Sequence, residues 1–168
     1  CVGGVRCGEE TGLDGSPDAG GEADEGSVTK LVPDMLIDLQ NRGRLAAGLT
    51  RYDENAAQLI VTYKQVGSVT DVFHLTHPDP GKFRAIVDKY SGRAAIGHTR
   101  YATCGKEGRE YAQPFERHHG RKWKWFAFCF NGNIANYAEV RNQLLKQDKG
   151  DYHLAHDTDT ELFMHHLS

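Results

Sequence analysis

The chain has 168 residues, of which 39% are hydrophobic and 26% charged, and its formal net charge is -3. This length suits one globular domain with a real core, and the charge balance argues against a nucleic-acid partner. No apolar run approaches the length of a membrane span, so no membrane partner is expected. Residues 1–168 are therefore interpreted as one domain of ordinary globular composition.

The cysteine pattern limits the compartment and the chemistry. Cys1, Cys7, Cys104 and Cys129 lack the spacing of a zinc ribbon. They are typical of free thiols in a reducing compartment, which predicts a cytoplasmic protein with no metal and no other cofactor. The last three are interpreted as small buried side chains. The histidines are scattered, and the pair at 165–166 is expected to be solvated.

The first half of the chain predicts an irregular succession of strands and one helix. Residues 1–5 favour a short strand, and residues 8–27 form an acidic, glycine-rich insertion that is expected to be an exposed loop. Residues 33–42 predict a helix, because apolar positions share one face and glycine follows. Two strands are expected around the turn at residues 53–55, the second at residues 58–63.

The second half places polar groups after a buried strand. A helix over residues 82–90 precedes an apolar strand at residues 94–97, which is followed at once by several polar side chains. Such groups at a strand exit are typical of a binding site. Residues 105–122 predict a long loop over this site, and residues 123–130 an aromatic strand.

Two helices are expected to close the chain. Asn131-Gly132-Asn133 turns into an amphipathic helix, and Thr158 with Glu161 forms a capping box for the last helix. Strands and helices without a regular β-α-β rhythm favour the α+β class.

Five motifs in a fixed order carry a family resemblance. They are Cys1, the stretch 94–105, Ala112-Gln113-Pro114-Phe115, Asn131-Gly132-Asn133 and Thr158-Asp159-Thr160-Glu161. Together they resemble the glutaminase domain of class II glutamine amidotransferases, which are N-terminal-nucleophile hydrolases. The amidophosphoribosyltransferase branch is the most similar.

The resemblance implies a four-layer sandwich, with two antiparallel sheets packed between helical layers. By that comparison, residues 1–168 end before the domain is complete. It also implies hydrolysis of L-glutamine to glutamate and ammonia through a thioester on Cys1. The ammonia would pass to a synthase or transferase domain or partner, and a homo-oligomer is left open. An N-terminal cysteine suits this chemistry because its α-amino group can serve as the base.

The resemblance also assigns the remaining site residues. Asn131 and Gly132 match the pair that donates to the oxyanion. Arg100 matches the residue that binds the α-carboxylate of glutamine, with Thr103 in the same loop, and Asp159 matches the residue that holds the α-amino group. A cation and an anion of this kind are what selection of a free amino acid requires.

Plainer alternatives stand beside these roles. Asn-Gly is a common turn, and an acidic residue such as Asp159 is favoured at a helix N-terminus in any protein. The sequence departs from the family pattern at Val2, Tyr111 and Phe130, which leaves the acceptor open. The same fold could also serve as a non-catalytic interaction or regulatory module.

Overall fold

The computed structural model shows α+β structure in two compact units, Cys1–Cys129 and Phe130–Ser168. It describes residues 27–101, 108–147 and 158–167. The predicted strand at residues 1–5 and residues 8–26 of the predicted insertion lie outside the described residues. Its last residue, Ser27, is buried.

The helices and strands alternate irregularly along the described residues, as the α+β prediction requires. The helices are α1 (Val32–Leu39), α2 (Val69–Val72), α3 (Gly81–Lys89), α4 (Tyr137–Gln147) and α5 (Asp159–His166). The strands are β1 (Ala46–Tyr52), β2 (Ile60–Val66), β3 (Ala94–Arg100), β4 (Phe115–Arg117) and β5 (Phe126–Phe128). None of the helices in the described ranges is long and apolar enough to cross a membrane.

A three-stranded antiparallel sheet organises the first unit, with β1 between β2 and β3. Gly48 of β1 pairs with Lys64 on one side and with His98 on the other. The predicted strand at 94–97 therefore continues to Arg100. Three of the polar residues that were expected after the strand, His98, Thr99 and Arg100, belong to it, because their backbones complete the pairing with β1.

One face of this sheet builds the core. Leu49 of β1 and Leu36 of α1 are almost fully buried in a cluster with residues of α2. Gly97 of β3 permits the close approach of α1, because a Cβ there would lie 2.6 Å from Cγ1 of Val32. Burying this face supplies the hydrophobic stabilisation of the unit, at about 25 cal/mol per Å² of apolar surface.

A second, two-stranded antiparallel sheet joins β4 to β5. Phe115 pairs with Phe128, and their ring centroids are 6.1 Å apart. The predicted loop at residues 105–122 is therefore wrong over β4, since this aromatic pair stabilises a short strand. The predicted strand at residues 123–130 shrinks to three residues, because its first part forms a 3-10 turn at Lys122–Lys124.

The second unit consists of α4, α5 and the turn that precedes α4. The Phe130 and Phe163 rings stack with centroids 5.4 Å apart, which joins the start of the turn to α5. Glu161 and His165 lie one helical turn apart with both side chains only 8% exposed. The prediction that the pair 165–166 is solvated is therefore wrong for His165, whereas His166 is exposed.

Candidate active site

Arg100 ends β3 at the edge of the first sheet. Its carbonyl accepts a hydrogen bond from the Leu45 amide at 3.0 Å. Gly43 lies against the same peptide group, because a Cβ there would come 2.4 Å from the Arg100 carbonyl carbon. The guanidinium lies over the Tyr111 ring, with Cζ 5.5 Å from the ring centroid. This cation–π contact favours one direction for a half-buried cation.

Residues 109–116 form a crossing segment over the sheet face opposite the helices. Its first turn lies against β2, where Arg109 donates to the Lys64 carbonyl, and the Tyr111 ring faces the Arg100 guanidinium of β3. Over β1 it comes so near that a Cβ on Gly48 would lie 2.4 Å from the Gln113 carbonyl oxygen. Only glycine leaves room for this approach, so a side chain on β1 would displace the segment.

Lys64 of β2 holds the middle of the crossing segment. Its ammonium donates to the Ala112 carbonyl at 2.7 Å and to the Pro114 carbonyl at 3.2 Å. The same nitrogen lies 4.3 Å from the centroid of the Phe115 ring. Arg109 donates from Nε to the Lys64 carbonyl at 3.1 Å. One lysine therefore contacts the segment through both its side chain and its backbone.

The surroundings of Lys64 shape its protonation. Burial lowers the pKa of Lys64, and the nearby Arg109 guanidinium lowers it further. The Glu116 carboxylate opposes this by favouring the charged amine. Glu116 is itself held by the Thr62 hydroxyl, which donates to it at 2.6 Å. The charged amine of Lys64 thus donates its hydrogen bonds to carbonyl oxygens in a partly desolvated environment.

His98 lies two residues before Arg100, and it is only 6% exposed. Burial lowers the pKa of His98 to about 4, and the Arg100 charge adds to this effect. The imidazole is therefore neutral at neutral pH. Its Nδ1 has no hydrogen-bond partner among the described residues.

Cys129 lies beside β3, with Sγ 3.9 Å from the Gly97 carbonyl oxygen. Burial raises the pKa of Cys129 to about 12, so the side chain stays a thiol at neutral pH. A thiol is a poor nucleophile compared with a thiolate. This protonation state fits the interpretation of Cys129 as a small apolar residue.

In the second unit, a carboxylate reaches the turn before α4. Oδ2 of Asp159 accepts a hydrogen bond from the Ile134 backbone amide at 2.7 Å. Asn131 and Gly132 are exposed on the same turn. Thr158 caps α5 by accepting a hydrogen bond from the Glu161 amide at 3.3 Å, which confirms that half of the predicted capping box. The cap places Asp159 at the first position of the helix.

The structure brings some of the predicted site residues together. Asp159 lies beside the turn that carries Asn131 and Gly132, although 25 positions separate Asp159 from Ile134. Arg100 lies in the first unit, and Cys1 and Thr103 lie outside the described residues. Two residues that structure this part of the first unit were not predicted as site residues. In the sequence, Tyr111 stood out only as a departure from the family pattern. Lys64 lies in no motif, because its partners are distant in sequence.

Known proteins share this sequence and fold. A family model described as a glutamine amidotransferase domain matches residues 74–168. Mouse (Mus musculus) amidophosphoribosyltransferase is 34% identical over 161 residues, which are 95% of this chain and 28% of that protein. The Lactococcus lactis glutamine–fructose-6-phosphate aminotransferase (isomerizing) is 35% identical over 142 residues, 83% of this chain and 20% of that protein. Glutamine phosphoribosylpyrophosphate amidotransferase from B. subtilis, solved with ADP and GMP, matches with a TM-score of 0.63 at 28% identity over 83% of this chain and 26% of that one.

The chain therefore belongs to the class II glutamine amidotransferase family, and the predicted fold class is confirmed. The family's enzymes include the amidophosphoribosyltransferases, to which this chain is similar at about one third identity. The chain spans about a quarter of the length of these relatives, 28% of the mouse protein and 25% of that from Archaeoglobus fulgidus.

Proposed function

We propose that this domain hydrolyses L-glutamine to glutamate and ammonia, with Cys1 as the nucleophile. The observation that carries the proposal is the hydrogen bond between Asp159 and the turn of Asn131 and Gly132. It sets an anion, suited to a substrate ammonium, beside groups suited to an oxyanion. Family membership supplies the reaction class.

The first half of the reaction forms a thioester. The Cys1 α-amino group takes the thiol proton, and the sulfur attacks the side-chain amide carbon of glutamine. A tetrahedral intermediate results, the carbon–nitrogen bond breaks, and the nitrogen leaves as ammonia after receiving that proton. In the second half, water attacks the thioester, glutamate leaves and the thiol is restored. The proposal requires that the Cys1 amine be free in the mature protein.

The oxyanion of each intermediate would be held by the turn before α4. The Asn131 side-chain amide and the Gly132 backbone amide would donate to it. One donor of this kind is typically worth ~2.7–4 kcal/mol in the transition state. The bond from Ile134 to Asp159 supports the role, because it ties the end of that turn to α5.

The two charged ends of glutamine would meet complementary groups. The Arg100 guanidinium would hold the α-carboxylate through two parallel hydrogen bonds, with Thr103 in the same loop. Asp159 would hold the α-ammonium. Its Oδ2 is engaged by Ile134, and a carboxylate has a second oxygen that can accept from a substrate ammonium. One carboxylate can therefore serve the turn and the substrate together.

The ammonia would pass to a synthase or transferase domain. The relatives are about four times longer than the matched stretch, so their remaining residues are available for an acceptor-binding part. The departures from the family pattern leave open which acceptor this protein uses.

Replacement of Arg100 tests the proposed function. Glutamate formation should fall in kcat/KM by roughly two orders of magnitude in Arg100→Ala, in line with the ~2–5 kcal/mol lost when a buried charge pair is broken. Arg100→Lys should also be impaired, because a point charge cannot reproduce the bidentate fork. The matched control is Arg93→Ala, which removes an arginine 58% exposed in an ion pair with Glu54. Parent-level activity in both Arg100 variants would refute the carboxylate assignment.

A further inference from the structure

We propose that Lys64 is a positioning residue for substrate binding: it holds the crossing segment on the sheet so that Tyr111 orients the Arg100 guanidinium. The inference rests on the proposed function of Arg100, and it adds two residues to which no role has been assigned. Neither is expected to touch glutamine.

The first step of the argument is the clamp itself. Lys64 donates to carbonyls on both sides of Gln113, at 2.7 Å to Ala112 and at 3.2 Å to Pro114. Charge-assisted bonds of this kind are roughly twice as strong as neutral ones. The ammonium also lies over Phe115 at 4.3 Å, so it restrains the direction of the backbone as well as its height above the sheet.

The second step links the clamp to the arginine. Tyr111 directly precedes Ala112, whose carbonyl Lys64 holds. The ring of Tyr111 lies 5.5 Å from Arg100 Cζ. Arg100 is on β3 and Lys64 on β2, at opposite edges of a sheet only three strands wide. The crossing segment, held by Lys64 of β2, therefore presents Tyr111 to the arginine of β3, and Gly48 of β1 leaves room for it.

The third step concerns charge. Burial of the Lys64 ammonium costs solvation free energy, as its lowered pKa reflects, although its hydrogen-bond acceptors are neutral carbonyl oxygens. An apolar residue would fill the same place without that penalty. The groups that face Lys64 are Glu116, Arg109 and the Cys129 thiol, and Glu116 favours the charged amine. The net effect of Lys64 is to fix the geometry of the crossing segment.

The test is a kinetic comparison of Lys64→Met with Lys64→Arg. Methionine keeps the apolar stem and loses the donors, so KM for glutamine should rise roughly tenfold, the size of one partly desolvated cation–π contact, with kcat changed less than twofold. Arginine keeps a charged donor and should restore most of the loss. The matched control is Lys89→Met, since Lys89 is an exposed lysine that also lies over a ring, that of Tyr90 at 5.5 Å.

A double-mutant cycle with Tyr111→Leu separates positioning from general stability. Both changes act on one arginine, so the double variant should raise KM about as much as either single variant. Hydrogen–deuterium exchange should show faster exchange in the crossing segment of Lys64→Met and unchanged exchange in α1. If Lys64→Met fails to fold, Tyr111→Leu decides the question: a raised KM with kcat little changed supports the positioning role, and an unchanged KM overturns it.

The outcomes distinguish this inference from the proposed function. A parent protein that does not hydrolyse glutamine overturns the proposed function and this role with it. An active parent with an unchanged KM in folded Lys64→Met overturns the positioning role alone. Independent, multiplicative effects of Lys64→Met and Tyr111→Leu would also overturn it.

Discussion

The Asp159 carboxylate accepts a hydrogen bond from the Ile134 backbone amide, with Oδ2 2.7 Å from the nitrogen. The bond joins the first residue of α5 to the turn that carries Asn131 and Gly132. The turn and the helix are therefore parts of one arrangement, and any group bound by Asp159 lies near the turn.

Two replacements of Asp159 should separate its two roles. Asp159→Asn keeps an oxygen that can accept from Ile134 and loses the charge, so KM for glutamine should rise while thermal stability changes little. Asp159→Ala loses both, and a hydrogen bond to a charged group is worth ~1.5–3 kcal/mol, so the melting temperature should fall as well. Steady-state kinetics and thermal unfolding check this. Equal melting temperatures for the two variants would contradict the anchoring role.

Gly48 should be intolerant of a side chain. A Cβ there would lie 2.4 Å from the Gln113 carbonyl oxygen and 2.6 Å from Cβ of Lys64, so Gly48→Ala should cost ~1–3 kcal/mol of overpacking strain. The matched control is Gly120→Ala, where nothing lies within 4 Å of the added methyl and the change should stay within ~0.5 kcal/mol. Urea unfolding measures both free energies of unfolding. A Gly48→Ala protein as stable as the control would show that the crossing segment moves away from the added methyl without cost.

Much of the first unit was predictable because its signals are local. The apolar face of α1 and the end of β1 follow from spacing over a few residues. The continuation of β3 through His98 to Arg100 was not predictable in this way. Those polar residues stay in the strand because of pairing with β1, about fifty positions earlier.

The candidate site shows the same division. Arg100 and Asp159 were proposed as site residues from motifs, which are local in sequence. Lys64 and the crossing segment were missed because the contact between Lys64 and Ala112 spans 48 positions. No periodicity or composition encodes which backbone carbonyl a lysine will meet, so this part of the site needed the structure.

His98 should make stability depend on pH. Burial lowers its pKa to about 4 in the folded protein, against ~6.5 in the unfolded chain. Between these values the unfolded chain binds a proton that the folded protein does not. The stabilisation is therefore complete above pH ~6.5 and falls as the pH drops towards 4, by on the order of 3 kcal/mol at most.

Urea unfolding at pH 7 and pH 5 measures this contribution. From pH 7 to pH 5, the free energy of unfolding should fall more in the parent than in His98→Gln, which lacks the titrating ring. The exposed His119 provides the control, since His119→Gln should follow the parent. The same pH dependence in parent and His98→Gln would show that His98 does not carry the effect.

The location of a covalent adduct tests the central claim, that Cys1 is the nucleophile of a glutamine-hydrolysing site. The protein is treated at neutral pH with an electrophilic glutamine analogue, a diazoketone amino acid, and the modified cysteine is found by peptide mass mapping. The proposal predicts one adduct, on Cys1, slowed by free glutamine, and no adduct on Cys129, whose pKa of about 12 keeps it a thiol. An adduct on another cysteine, or labelling of Cys1 that glutamine does not slow, would contradict it.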